Sequence, residues 1–92
     1  MIERFRHKGL AQFFRTGRTS GIQPGHAKQL QLILTALNQA VRIQDMNLPG
    51  LRLHPLRGDR RGYWAVVVNG NWRVVFRFED GDVFDVDLVD YH

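Results

Sequence analysis

Apolar residues repeat at helical spacing in the first half of the chain. Leu10, Phe13 and Phe14 stand at i, i+3 and i+4, and Gly17 follows them as a suitable left-handed helix end. Pro24 suits the first turn of a second helix. The apolar stripe of that helix comprises Leu30, Ile33, Leu34, Leu37, Ala40 and Val41. The pattern predicts two helices, and the second must bury one face.

Beyond the turn signal Pro49-Gly50, the periodicity changes to that of β-strands. Residues 63–68, 72–78 and 83–89 are aromatic and β-branched, and Asn69-Gly70 and Asp80-Gly81 between them are hairpin signals. Alternation over residues 2–6 permits one more short strand. We therefore predict one α+β domain, residues 1–92, with two N-terminal helices packed on one face of a small, mainly antiparallel sheet.

The second hairpin predicts which side chains share a face. If Asp80-Gly81 is a two-residue turn and the strands contain no bulge, Glu79 pairs with Asp82 and Arg73 lies opposite Leu88. The same count places four side chains on one face: Arg73, Leu88, Asp90 and His92.

Composition limits the possible functions. Thirteen Lys and Arg residues against nine Asp and Glu give a net charge of +4, which favours a polyanionic partner. The chain has no cysteine, so disulfides and thiolate metal sites are excluded, and we expect no metal and no cofactor. There is no secretory signal and no apolar run long enough to cross a membrane, which predicts a soluble cytoplasmic protein.

The segment of residues 54–64 concentrates basic and aromatic side chains, namely His54, Arg57, Arg60, Arg61, Tyr63 and Trp64. Cations beside stacking surfaces are typical of proteins that bind single-stranded nucleic acid. The alternative is an exposed loop whose arginines pair with Asp59 and solvent. Composition alone leaves both interpretations open.

Other polar and aromatic residues favour structural roles. His7 and His26 have no partner at ligand spacing, which predicts surface histidines. Asp85 and Asp87 could chelate a cation, but we favour a role in keeping a sheet edge soluble. Trp64 and Trp72 are expected to fill the core, and Tyr91, on pattern alone, belongs to the core or an edge.

Longer stretches resemble a known family. "FRHKGLAQFFRTG", "TSGI", "LHPLRGDRRGYWAVVVNGNWRVVFRF" and the final "DYH" are similar to HigB-type toxins of the RelE superfamily, from residue 5 to residue 92. The resemblance implies a ribosome-dependent messenger RNA endoribonuclease, the toxin of a bacterial type II toxin–antitoxin pair. It also implies a cognate helix-turn-helix antitoxin of the HigA type, and contact with operator DNA only through that antitoxin.

The resemblance also implies the site. The family's functional positions fall on His54, Arg57, Arg73, Asp90, Tyr91 and His92. Arg57 departs from the family, whose members commonly carry lysine there. Because a guanidinium stays protonated, it can hold a phosphate, but its use in proton transfer is in question. RNA contacts are expected from Arg57, Arg60, Arg61, Trp64 and Arg73.

These residue types suit RNA cleavage without a metal. His54 and His92 could act as base and acid, in an order that the sequence leaves open, because unperturbed histidine titrates near 6.5. Arg57 and Arg73 could stabilise the charge that develops on the phosphate. The alternative function is a non-catalytic RNA- or ribosome-binding module, which would use the basic loop but not a terminal histidine.

Overall fold

The computed structural model describes residues 1–91, in which two α-helices precede a four-stranded antiparallel sheet. Helix α1 spans Lys8–Thr16 and helix α2 spans Ala27–Gln39. The strands are β1 (His54–Pro55), β2 (Tyr63–Asn69), β3 (Trp72–Glu79) and β4 (Asp82–Asp90). Each strand pairs with the next along the chain, so the order is β1-β2-β3-β4. The predicted α+β architecture is confirmed.

The N-terminal segment lies along β4 without forming a complete strand. Ile2 and Phe5 make isolated parallel bridges to Val83 and Val86. The Glu3 amide donates to the Val83 carbonyl at 2.7 Å. Two bridges thus replace the short strand predicted for residues 2–6.

Local hydrogen bonds explain where the helices begin and end. The His7 Nδ1 atom accepts the Leu10 amide at 3.0 Å and caps α1. At the other end Gly17 has φ +79° and donates to the Phe13 carbonyl, as predicted. Helix α2, however, ends before Val41, which is 72% exposed and does not belong to the apolar stripe predicted for it. The Val41 amide instead donates to the Asp45 carboxylate at 2.9 Å, outside the helical hydrogen-bond pattern.

The core lies between the helices and one face of the sheet, which we call the inner face. It contains Leu30, Ile33, Leu34 and Leu37 of α2 together with Val66, Val74, Phe76, Val86 and Leu88 of the sheet. Trp64 and Trp72 pack at its margin, as predicted. His26 is not a surface residue: it is 4% exposed, and its ring meets the Trp72 ring at a centroid distance of 5.5 Å.

A β-bulge changes the predicted register of β3 and β4. Glu79 pairs with Asp82 as expected, but β4 accommodates one extra residue, and Asp85 takes the left-handed conformation with φ +55°. Aspartate tolerates that conformation better than most residues, which explains why the bulge occurs there. Beyond it Arg73 pairs with Val89 and Trp72 pairs with Asp90.

Because of the bulge, the side chains that share a face with Arg73 differ from the predicted set. Leu88 is buried on the inner face, and Asp90 pairs with Trp72, so neither shares the face of Arg73. We call the face that carries Arg73 the outer face. Its cross-strand rows are Tyr63–Arg77–Phe84, His54–Ala65–Val75–Asp87 and Val67–Arg73–Val89.

Candidate active site

Arg73 projects from the outer face beside the turn between β2 and β3. Its Nη1 atom donates to the carbonyl oxygens of Gly70 at 2.7 Å and Trp72 at 3.1 Å. The Nε atom is buried and has no hydrogen-bond partner within the described residues. No carboxylate among residues 1–91 forms an ion pair with this guanidinium. Arg73 is therefore a cation oriented by backbone carbonyls.

Tyr91 reaches the same cation from the end of β4. Its amide donates to the Asn71 carbonyl at 2.9 Å, which ties the chain end to the β2–β3 turn. The Arg73 guanidinium carbon lies 5.7 Å from the centroid of the Tyr91 ring, a cation–π distance. Two of the predicted site residues are thus brought together. Asp90 pairs with Trp72 on the opposite face, and His92 lies outside the described residues.

His54 stands in the neighbouring row of the outer face. Its Nδ1 atom is 2.9 Å from the Arg52 carbonyl oxygen. Because a carbonyl can only accept, Nδ1 carries the hydrogen, and the neutral ring then has its lone pair on Nε2. His54 and Arg73 are two strands and one side-chain step apart, about 12 Å between Cα atoms at the usual strand spacing and rise. Both side chains can therefore reach one phosphodiester between them.

The basic loop between β1 and β2 remains exposed. Arg57 precedes a short 3₁₀ turn, Gly58–Arg60, and Arg61 follows it. All three arginine side chains are exposed, and none forms an ion pair with Asp59 or another described carboxylate. The pairing with Asp59 that was the alternative interpretation is absent from the described part of the chain.

The first two residues of β2, both aromatic, face opposite sides of the sheet. Trp64 pairs with Phe76 on the inner face and packs against the core, which agrees with the core role predicted for it. It does not lie on the face of His54 and Arg73, where the RNA contact also predicted for it was expected. Tyr63 pairs with Arg77 and is half-buried on the outer face. Tyr63, rather than Trp64, therefore provides an aromatic surface on the face that carries His54 and Arg73.

Sequence reasoning missed a second charged cluster, which we call the Asp85 cluster. The Asp85 carboxylate accepts from Arg4 Nε at 2.6 Å and from the Tyr63 hydroxyl at 3.1 Å, and Arg77 Nε lies 3.5 Å away. Arg77 also forms an ion pair with Glu79. The Arg4 hydrogen bond is the main reason why the pKa of Asp85 is lowered, with the Tyr63 hydroxyl adding to the effect.

The Asp85 cluster could not be read from sequence spacing. Arg4 and Asp85 are far apart in the chain, and the bulge determines which way Asp85 points. The expected solubilising role of Asp85 is thus incomplete, because its carboxylate ties the N-terminal segment to β4.

Over residues 1–91, no three His, Cys, Asp or Glu side chains are grouped closely enough to hold a metal ion. Neither helix in this part of the chain has the length and apolar character needed to span a bilayer.

The fold, a two-helix layer on an antiparallel sheet, is shared with solved structures of other small proteins. YafQ from E. coli strain BL21(DE3) superimposes with a TM-score of 0.64 at 16% identity, covering 98% of this chain and 91% of YafQ. The YoeB dimer from Staphylococcus aureus gives a TM-score of 0.60 at 16% identity, covering 99% and 94%. At such identities these likenesses establish the fold.

The sequence identifies the family. A model described as the RelE-like toxin HigB of type II toxin–antitoxin systems matches residues 3–92, and the chain belongs to this HigB-like toxin family. It is 41% identical over 92 residues to the protein named Endoribonuclease HigB from Proteus vulgaris, and the match covers 100% of both chains. The resemblance given by the sequence motifs is confirmed.

Proposed function

We propose that this protein is an endoribonuclease toxin that cleaves messenger RNA in the ribosomal A site and thereby inhibits translation and arrests growth. The full-length relative named Endoribonuclease HigB supports ribonuclease activity. The observation that carries the proposal is the placement of His54 and Arg73 on one face of the sheet, with an imidazole that offers Nε2 as a base.

The proposed reaction uses the 2′-hydroxyl of the RNA as nucleophile. His54 Nε2 takes the 2′-hydroxyl proton while the 2′-oxygen attacks the adjacent phosphorus. Arg73 and Arg57 stabilise the negative charge of the phosphorane. The P–O5′ bond then breaks, and the leaving oxygen takes a proton from an acid. We assign this acid role to His92, the second histidine among the predicted site residues.

Tyr91 and Asp90 assist in this scheme without transferring a proton. Tyr91 lies against the Arg73 guanidinium and orients it, and its hydroxyl can hydrogen-bond the phosphate. For Asp90, which pairs with Trp72 on the inner face, the assisting role is the one that the family resemblance implies. No metal or cofactor is required, because the residues supply a base, an acid and two cations.

The exposed basic loop supports our proposal that cleavage depends on the ribosome. Arg57, Arg60 and Arg61 are exposed and have no ion-pair partner among the described residues. They can bind the backbone of a ribosome-bound message, but exposed cations alone do not hold the 2′-oxygen in line with the leaving group. Alignment by the ribosome would lower that entropic barrier.

Membership of a type II toxin–antitoxin family implies an antitoxin partner. We propose that this partner is a helix-turn-helix protein of the HigA type and that both act in the bacterial cytoplasm. Operator DNA would then be reached only through the antitoxin.

The test is induction of the chain in a bacterial host, with messenger 5′ ends mapped by sequencing. We expect growth arrest and new ends inside coding regions. His54→Gln, which replaces the imidazole with a neutral amide of similar reach, should remain folded and should lose about 10²- to 10⁴-fold in cleavage. Uncut messages after induction of the unmodified chain would refute the proposed endoribonuclease activity. Equal arrest by both proteins without new ends would favour the alternative binding module.

A further inference from the structure

A small cleft of about 140 Å³ opens on the outer face, apart from the Arg73–Tyr91 contact. It lies between the N-terminal segment, the 3₁₀ turn before β2 and the sheet. Its lining residues are Arg6, Asp59, Arg60, Tyr63, Val75 and Asp87. Only Arg60 of this set belongs to the RNA-binding residues proposed above.

The charged groups of the cleft are close enough to share it but form no ion pair with one another within residues 1–91. Arg6, Arg60 and Asp59 make no ion pair or side-chain hydrogen bond within residues 1–91. Asp87 Oδ1 accepts the Leu88 amide at 2.9 Å, which orients the carboxylate and leaves Oδ2 for another donor. The cleft thus presents donors and acceptors at once, in contrast to the neutralised Asp85 cluster.

The cleft is next to the proposed base. Val75 and Asp87, which line it, belong to the same cross-strand row as His54 and Ala65. Val75 is only 4% exposed although it lies on the outer face, so the cleft has an apolar floor beneath its charged walls. A group bound over Val75 and Asp87 would lie two to three strand spacings, roughly 10–14 Å, from the backbone of His54.

Tyr63 forms an aromatic wall of fixed orientation. Its hydroxyl donates to Asp85 Oδ2 at 3.1 Å, and its ring is half-buried. A planar ligand can stack on a ring that is held in this way without a large loss of side-chain freedom.

We propose that this cleft binds one nucleobase next to the scissile phosphate and favours bases with an exocyclic amino group. The inference rests on the proposed ribonuclease function. An apolar floor and the Tyr63 ring suit a planar base, Asp87 Oδ2 accepts from an amino group, and Arg6 or Arg60 donates to ring nitrogen or carbonyl acceptors. Cytosine, adenine and guanine offer an amino group, whereas uracil would present a carbonyl oxygen to the Asp87 carboxylate.

The first experiment compares cleavage-site maps of the unmodified chain and Asp87→Asn in growing cells. An asparagine amide can donate as well as accept, so it no longer disfavours uracil. At one position near the cut, we expect the preference for amino-bearing bases over uracil to fall about tenfold. Asp80→Asn is the matched control, because it removes the same charge at the exposed β3–β4 turn and should leave the map unchanged.

The possible results separate the two proposals. A protein that cuts no message refutes the proposed function itself. A protein that cuts, with identical maps for the unmodified chain and Asp87→Asn, refutes the nucleobase cleft alone. A folded Asp87→Asn protein that loses cleavage equally at every site would also overturn base selection, because Asp87 would then serve the reaction and not the choice of base.

A second experiment measures binding without cleavage. Isotope-labelled His54→Gln protein is titrated with cytidine, uridine or ribose monophosphate, and the amide signals of Tyr63, Val75 and Asp87 are followed by NMR. We expect larger shifts with cytidine monophosphate than with the other two. Equal shifts with all three would show a phosphate site only and would overturn the inference.

Discussion

Two groups of charged side chains occupy the outer face of the sheet, and their partners differ. In the Asp85 cluster, a carboxylate is held by Arg4, Arg77 and the Tyr63 hydroxyl. Around Arg73, the described partners are two backbone carbonyls and the Tyr91 ring. Among the described residues, the first arrangement pairs arginines with carboxylates, whereas the second orients a cation that forms no ion pair with a described carboxylate. This difference is the reason why we assign a structural role to Arg77 and propose a role in the reaction for Arg73.

The largest expected effect comes from Arg73→Ala. If this cation stabilises the phosphorane, cleavage should fall by about 10²- to 10³-fold, as when a charge-stabilising donor is removed from other active sites. Stability should fall only modestly, by about 1 kcal/mol, because two backbone carbonyls and the Tyr91 ring lose a partner but no described carboxylate loses an ion pair. The measurements are single-turnover cleavage on programmed ribosomes and thermal unfolding of the purified variant.

Arg77→Ala is the matched control for that experiment, because it removes an arginine from the same face and the same strand. Arg77 pairs with Glu79 and Asp85, so its loss should cost about 1 kcal/mol of folding free energy, or about 4–8 °C in Tm. Cleavage by the folded variant should persist. If Arg77→Ala lost cleavage as severely as Arg73→Ala, the distinction between the two groups would be wrong.

A smaller effect is expected at Tyr91. Tyr91→Ala removes the ring beside the Arg73 guanidinium, an interaction of about 1 kcal/mol, and should lower cleavage about fivefold. Tyr91→Phe keeps the ring and removes only the hydroxyl. If the ring matters, the phenylalanine variant should cleave almost normally in the same ribosome assay. Equal losses in both variants would assign the effect to the hydroxyl instead.

The sequence predicted some elements of this face correctly and others wrongly. Helix α2 and the β3–β4 hairpin were predictable because periodicity and turn residues act over a few neighbouring positions, and the family motifs marked His54 and Arg73. The face of Asp90 was predicted wrongly, because one left-handed residue at Asp85 shifts every later pair by one position. A two-residue alternation cannot reveal an extra residue that the partner strand does not share.

Long-range contacts were beyond the sequence for a different reason. The burial of His26 depends on Trp72, and the charge state of Asp85 depends on Arg4, residues that are distant along the chain. Spacing rules describe neighbours on one element, so they do not register such pairs. The cleft lined by Arg6, Arg60 and Asp87 likewise forms only where the N-terminal segment and the β1–β2 loop meet over the sheet.

The smallest effect on cleavage is expected for Asp85→Asn, which should reduce stability in a pH-dependent way while leaving activity intact. The folded-state pKa of Asp85 is lowered, chiefly by its Arg4 hydrogen bond, so the ionised carboxylate stabilises the fold. That stabilisation, about 1 kcal/mol, is complete above the unfolded pKa of about 3.9 and is lost as the pH falls through the folded pKa.

The measurement that tests this is the free energy of unfolding of the unmodified chain minus that of Asp85→Asn, determined by urea denaturation from pH 7 to pH 2. The difference should be constant down to about pH 5 and should then shrink toward zero. Using the difference matters because Asp45, whose pKa is lowered mainly by the Val41 amide, also weakens the fold in acid but does so in both proteins. A difference that stayed constant to pH 2 would mean that the Asp85 charge does not stabilise the fold. The structural role that we assign to the Asp85 cluster, in contrast to Arg73, would then be wrong.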